Sequence, residues 1–170
     1  NFAHEAVLIE EQARAGDTSF GIVMGSPMAT PAFMKCATPG QLSRWMPAIA
    51  AGKSILAFAL TEPGAGSDAK AIRTTARRDG DHYVINGSKI FISNGYNADL
   101  VLLAARTSNT ARPSEAISAF MIETRDLAGY KVGRILDKIG QKGQDTAELF
   151  FDDVRIPAEN LLGGVEGDAF

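Results

Sequence analysis

The sequence predicts an α+β chain, in which an incomplete N-terminal α-helical segment precedes an antiparallel β-barrel or β-sandwich. Three observations carry that reading. Apolar residues recur with a helical period up to about residue 52, the period drops to two from residue 55, and turn-forming residues crowd in after the change.

Phe2, Ala6, Ile9 and Ala13 share one helical face, with Glu5, Glu10, Glu11 and Gln12 largely elsewhere, and Gly16 stands where such a helix would stop. Asn1 could cap it, but the apolar face opens at once, so the chain is expected to start inside a longer helical domain. A second helix has a clearer start. Thr38 is placed as N-cap, Pro39 at the first helical position and Gln41 three residues past the cap, which together make a capping box. Gly52 is its terminator, and Pro47 is expected to kink or restart it.

Residues 56–60 are continuously apolar and short enough for a buried strand. Asp79-Gly80 then separates 74–78 from 82–85, and Asn86-Gly87 separates that strand from 89–92, so two hairpin turns are expected in a meander. Residues 100–105, 117–123 and 147–151 add three apolar or alternating strands, joined by segments rich in Gly, Asn, Asp, Ser and Pro. Residues 106–116 are the most polar stretch and read as a surface loop. The boundary between the halves falls near Ala51 to Ser54.

At 170 residues, 45% hydrophobic and 22% charged, the chain can bury a core of ordinary globular size. A net charge of -3, with Lys and Arg scattered apart from Arg77-Arg78, argues against nucleic acid as a partner. The apolar stretches fall far short of the roughly 20 residues that cross a bilayer, and residues 1–15 carry acids rather than a basic leader, so no membrane segment is expected. The single cysteine, Cys36, excludes an internal disulfide and fits a reducing compartment. His4 and His82 are too few and too far apart for a metal or triad pattern, and no metal site is expected.

The chemistry concentrates where the first strand ends. Pro63, Gly64 and Gly66 stop regular pairing and let the backbone come close to a ligand, and the Ser67 hydroxyl could donate to a phosphate beside exposed N–H groups. This is neither the dinucleotide fingerprint nor the P-loop, so on spacing alone a plain turn, with Ser67 as a turn or cap hydroxyl, is the first reading.

The string TEPGAGSD at 61–68, followed by INGSKIFISNG at 85–95 and GQDTAELFFDDVRIPAENLLG at 143–163, resembles the central region of the acyl-CoA dehydrogenase family. The last block and the triplet Phe91-Ile92-Ser93 are most like its long-chain members. The resemblance implies bound FAD and oxidation of a fatty acyl-CoA to its trans-2-enoyl product, as in fatty acid β-oxidation. It also implies electron transfer flavoprotein as electron acceptor, a homotetramer, and a place in the bacterial cytoplasm or mitochondrial matrix. It divides the chain into part of an N-terminal helical domain at 1–54, a central flavin-binding β domain at 55–165, and the start of a C-terminal helical domain at 166–170.

By match to the family's pattern, Phe58, Leu60 and Thr61 should line the flavin, Thr61 through its hydroxyl or backbone N–H. Gly66 and Ser67 should approach the FAD phosphates, and Ser67 should also touch the CoA side of the substrate. Phe91, Ile92 and Ser93 form the second flavin-contacting triplet, where Phe and Ser stand in place of the Trp and Thr found in many members. Core packing of an alternating strand is the competing reading of Phe91 and Ile92. Lys89, in the G-x-K of Gly87-Ser88-Lys89, is expected to be a solvated residue on the outer face.

Glu62 is the carboxylate nearest the glycine-rich loop, but it is expected to bond backbone amides rather than act as the base. The family's catalytic glutamate belongs to the C-terminal helical domain. No catalytic residue is therefore assigned within 1–170, and the segment alone is expected to be inactive. Competing functions are an acyl-CoA oxidase or flavin monooxygenase on the same scaffold, and a non-catalytic β-type binding module.

Overall fold

A computed structural model describes residues 2–16, 28–109 and 112–168. The expectations that fall on Asn1, Thr110, Ala111, Ala169 and Phe170 lie outside the described residues.

Helix α1 spans Phe2–Ala15 and is followed by Gly16 in the left-handed conformation that lets the chain leave a helix. Its expected apolar face is not covered among the described residues: Ala6 and Ala13 are exposed and Ile9 is half-buried, while Val7 and Leu8 beside it are also exposed. Helix α2, Thr30–Cys36, escaped the sequence reading because it is short and opens with Pro31. Helix α3, Pro39–Ala50, starts with the capping box read from the sequence. The Gln41 N–H donates to Thr38 Oγ1 at 3.3 Å, and the Thr38 N–H donates to Gln41 Oε1 at 2.9 Å. The helix runs on through Pro47 to Ala50, so Pro47 does not end it.

Among the described residues seven strands form one sheet: β1 Leu56–Ala59, β2 Thr75–Asp79, β3 His82–Ser93, β4 Leu100–Arg106, β5 Ile117–Glu123, β6 Tyr130–Ile135 and β7 Thr146–Pro157. Their order is β1-β4-β2-β3-β7-β6, with β5 also on β4. Because β4 pairs with β1, β2 and β5 along its length, the sheet curls on itself into a half-barrel. The α+β class holds, and most pairs are antiparallel. The exceptions are β1, which lies parallel to β4 from Leu56↔Leu100 to Ala59↔Leu103, and the single β2–β4 pairing Thr75↔Arg106. A chain that leaves β1, makes a complete antiparallel excursion and returns in β4 arrives pointing the same way.

Alternation along β1 and β4 divides the core in two. Ala57, Ala59, Val101 and Leu103 face the inside of the curl with Tyr83, Ile85, Phe120, Leu149 and Phe151. Leu56, Leu100 and Leu102 face the other way, with Met121, onto Phe33 of α2 and Trp45 of α3. Burial on both faces is why β4 reads as an unbroken apolar run. Trp45 Nε1 also donates to Glu123 Oε1 at 2.7 Å, and Gln41 Nε2 donates to the Leu161 carbonyl at 2.7 Å, which fixes α3 against the sheet.

The second expected hairpin is absent. Strand β3 continues through Asn86-Gly87 with only a register shift against β7. There Asn86 Nδ2 donates to Asp153 Oδ1 at 2.8 Å and the Asp153 N–H donates back to Asn86 Oδ1 at 2.9 Å, so the turn-like dipeptide joins two irregular strands instead of reversing one. Strand β6 was not read from the sequence, because Lys131, Gly133 and Arg134 give it little apolar period.

Candidate functional site

The site is built where β1 runs out and where β3 loses its regular pleat. After Ala59 the chain passes through Leu60 and Thr61 into a tight turn, in which the Glu62 N–H donates to the Ala65 carbonyl at 3.0 Å and the Ala65 N–H donates to the Glu62 carbonyl at 3.1 Å. Pro63 and Gly64 are the two residues at its tip. The Ile90 N–H of β3 donates to the Thr61 carbonyl at 3.0 Å, which brings the two segments side by side.

Between Lys89 and Ile92 the pairing of β3 with β7 shifts register. Phe91 there has φ 60°, a conformation costly for any residue with a Cβ, and its ring is 63% exposed. The bulge turns Phe91 outward while Ile92 stays in the core at 2% exposure. Core packing therefore describes Ile92 and not Phe91.

Phe58, Leu60, Thr61, Phe91, Ile92 and Ser93 line one cleft of about 110 Å³, with Met28 as the seventh residue. Six of the eight cofactor candidates thus meet in one place. Gly66 and Ser67 do not line it; they lie on the exposed continuation of the loop, a few residues beyond Thr61. Met28 carries no sequence signal that would have placed it there.

The cleft is apolar on its walls and polar at two points, the hydroxyls of Thr61 and Ser93, which make no hydrogen bond to another described residue. Phe58, Leu60 and Phe91 offer surface suited to the faces of a flat aromatic system, and the two hydroxyls suit its heteroatom edge. An isoalloxazine ring has that chemistry, so the residues fit FAD. None of the described residues that line it is a carboxylate, histidine or cysteine that could move a proton.

Lys89 overturns the sequence reading. It is 1% exposed, not solvated, and its Nζ donates to Glu62 Oε1 at 2.8 Å and to the Leu60 carbonyl at 3.0 Å. By strand parity Lys89 shares the face of the buried Ile85, and it keeps that face across the register shift at Ile85–Gly87, ahead of the one between Lys89 and Ile92. That parity was legible, whereas the partner, Glu62, lies 27 residues away in another segment. Burial pushes the Lys89 ammonium down to about 8, against the opposing pull of Glu62, so it remains charged at neutral pH.

Glu62 bonds backbone amides as the sequence suggested. The Arg73 N–H donates to Oε2 at 2.6 Å and the Thr74 N–H to Oε1 at 3.0 Å. Desolvation alone would raise its carboxyl, but the hydrogen bonds from Lys89, Thr74 and Arg73 together hold it below the usual carboxylate range. A carboxylate so engaged is not available as a base. Burial pushes the Cys36 thiol up, which leaves it a poor nucleophile. Among the described residues no group of three or more His, Cys, Asp or Glu is placed to hold a metal. Nor is any helix among them long and apolar enough to cross a membrane.

Residues 57–154 match the family model described as acyl-CoA dehydrogenase, middle domain. The chain belongs to the acyl-CoA dehydrogenase family. Among curated relatives, it is 47% identical over 159 residues to the mitochondrial long-chain specific acyl-CoA dehydrogenase of Mus musculus, a match that covers 93% of this chain. Among solved structures, an acyl-CoA dehydrogenase from Geobacillus kaustophilus superposes with a TM-score of 0.91 at 45% identity, over 98% of this chain and 44% of that one. Butyryl-CoA dehydrogenase from Megasphaera elsdenii gives a TM-score of 0.77 at 38% identity, over 82% of this chain and 36% of its own. The chain spans 37% of the length of the mouse acyl-CoA dehydrogenase.

Proposed function

We propose that this chain is the FAD-holding part of an enzyme that desaturates a fatty acyl-CoA to the trans-2-enoyl-CoA. The observation that carries the reading is the single cleft shared by Phe58, Leu60, Thr61, Phe91, Ile92 and Ser93, which come from segments far apart in sequence. When bound there, FAD supplies the acceptor for a hydride leaving the β carbon of the acyl thioester.

The chain's own residues orient and enclose. Phe58, Leu60 and Phe91 cover ring faces and keep water away from them, and Thr61 and Ser93 direct donors at the edge where negative charge grows. Gly66 and Ser67, on the exposed loop, reach for the diphosphate through backbone N–H groups and the Ser67 hydroxyl, which also meets the CoA side of the substrate.

The proton α to the thioester needs a base on the opposite side of the acyl chain from the flavin. Glu62 is committed to Lys89 and two amides, so we assign the base to a residue outside 1–170, in the C-terminal helical domain of the family's pattern. The same pattern makes 1–54 part of an N-terminal helical domain, 55–165 the flavin-binding β domain and 166–170 the start of the C-terminal one. Electrons then pass to electron transfer flavoprotein from a homotetramer, in the mitochondrial matrix or a bacterial cytoplasm.

The test is anaerobic titration of the purified full-length protein with a long-chain saturated acyl-CoA. Bleaching of a flavin absorbance band, followed by slow recovery in air and fast recovery with electron transfer flavoprotein, is the expected result. Rapid recovery in air alone would make it an oxidase. A colourless protein that ignores added FAD would overturn the reading and leave a non-catalytic binding module.

A further inference from the structure

Lys89 and Glu62 are not among the residues that line the cleft, yet both are attached to its two walls. Lys89 belongs to β3, two residues before Phe91, and Glu62 follows Thr61 directly. The Lys89 ammonium bonds the Leu60 carbonyl at 3.0 Å and Glu62 Oε1 at 2.8 Å. Beside it the Ile90 N–H bonds the Thr61 carbonyl at 3.0 Å. Glu62 in turn holds the amides of Arg73 and Thr74. Every residue from Leu60 to Glu62 is thereby pinned to β3 or to the segment entering β2.

We infer that the buried Lys89–Glu62 pair is the positioning device that fixes the spacing between the Leu60-Thr61 wall and the Phe91–Ser93 wall, and so sets FAD affinity and ring placement. The inference rests on the assignment of that cleft to FAD. Stability alone is a poor reason for the pair, because taking two charges out of water costs about as much as their attraction returns, and apolar residues of similar volume often do as well. What apolar residues cannot supply is a directional bond from β3 to the Leu60 carbonyl. That bond fixes distance and register across the cleft, where a misplacement of about 1 Å can cost on the order of a hundredfold in function.

The experiment compares the wild-type full-length protein with K89M/E62Q, which removes both charges, nearly keeps the volume and leaves a side-chain oxygen to accept from the Arg73 and Thr74 amides. FAD dissociation constants, the visible spectrum of the bound flavin and thermal unfolding with and without FAD are measured on each. The expected result is a folded double variant whose FAD affinity is lower by roughly tenfold or more, with a shifted flavin band. Affinity within about twofold of wild type and an unshifted band would overturn the inference, whatever happens to the unfolding temperature. Should the double variant not fold, K89M decides on the same two readouts, since it removes the bond from β3 to the Leu60 carbonyl while Glu62 keeps its bonds to the Arg73 and Thr74 amides. A wild-type protein that binds no FAD would instead sink the assignment of the cleft.

Discussion

Phe91→Gly separates a binding residue from a packing residue. Phe91 stands at φ 60°, where glycine is at ease and a side chain costs roughly 1–2 kcal/mol. Its ring is 63% exposed, so of about 200 Å² only some 70 Å² is covered, worth about 2 kcal/mol at 25 cal/mol per Å². The two effects nearly cancel, and the FAD-free variant should unfold within about 1–2 kcal/mol of wild type. Binding is another matter. If the cofactor covers the remaining ~130 Å² of the ring, its loss costs up to about 3 kcal/mol, or roughly a hundredfold in affinity. Fluorescence quenching of free FAD gives the affinity, and urea unfolding of the FAD-free full-length protein gives the stability. An unchanged dissociation constant, or a stability loss well above about 3 kcal/mol, would show that Phe91 supports the fold and not the ligand.

Four further outcomes follow from the same geometry. Thr38→Ala removes the hydroxyl half of the capping box and should cost about 1 kcal/mol in urea unfolding while leaving the flavin spectrum unchanged. Gly129→Ala should destabilise by about 2 kcal/mol or more, because Gly129 has φ 81° and an added Cβ would overlap the Asp152 carbonyl. Gly64→Ala meets open space and should stay within about 0.5 kcal/mol. Glu62 gives an acid limb: its folded carboxyl lies below the unfolded value of about 4.3, so its contribution is complete above that pH and is lost as pH falls further. E62Q should therefore be the less stable protein at pH 7, by about 3 kcal/mol, with the gap closing in thermal melts taken toward pH 3. A gap independent of pH would contradict the ionised pair.

The parts of the structure legible in the sequence are those fixed by local chemistry. The capping box of Thr38 and Gln41, the turn at Asp79-Gly80 and the continuous apolar run of β4 each follow from neighbouring residues alone. The misreadings arose where a distant strand decides. Asn86-Gly87 has turn chemistry, but Asp153 of β7 satisfies Asn86 and the strand goes on. Gly133 interrupts the period of β6, yet an added Cβ there would run into the Phe150 ring of β7, which fills the space the glycine leaves. Lys89 looked like a surface charge because its partner lies in another segment. Of the site, motif matching located six residues of one cleft; it could not anticipate Met28, nor the positive φ that aims Phe91 outward.

The central claim is that the cleft between residues 58–61 and 91–93 receives the isoalloxazine ring. A crystal structure of the full-length protein grown with FAD addresses it without intermediaries. The ring should lie in van der Waals contact with Phe91 and Phe58, with the Thr61 or Ser93 hydroxyl about 3 Å from a ring heteroatom. A flavin bound elsewhere, with the Phe91 side chain still facing solvent, would contradict the account.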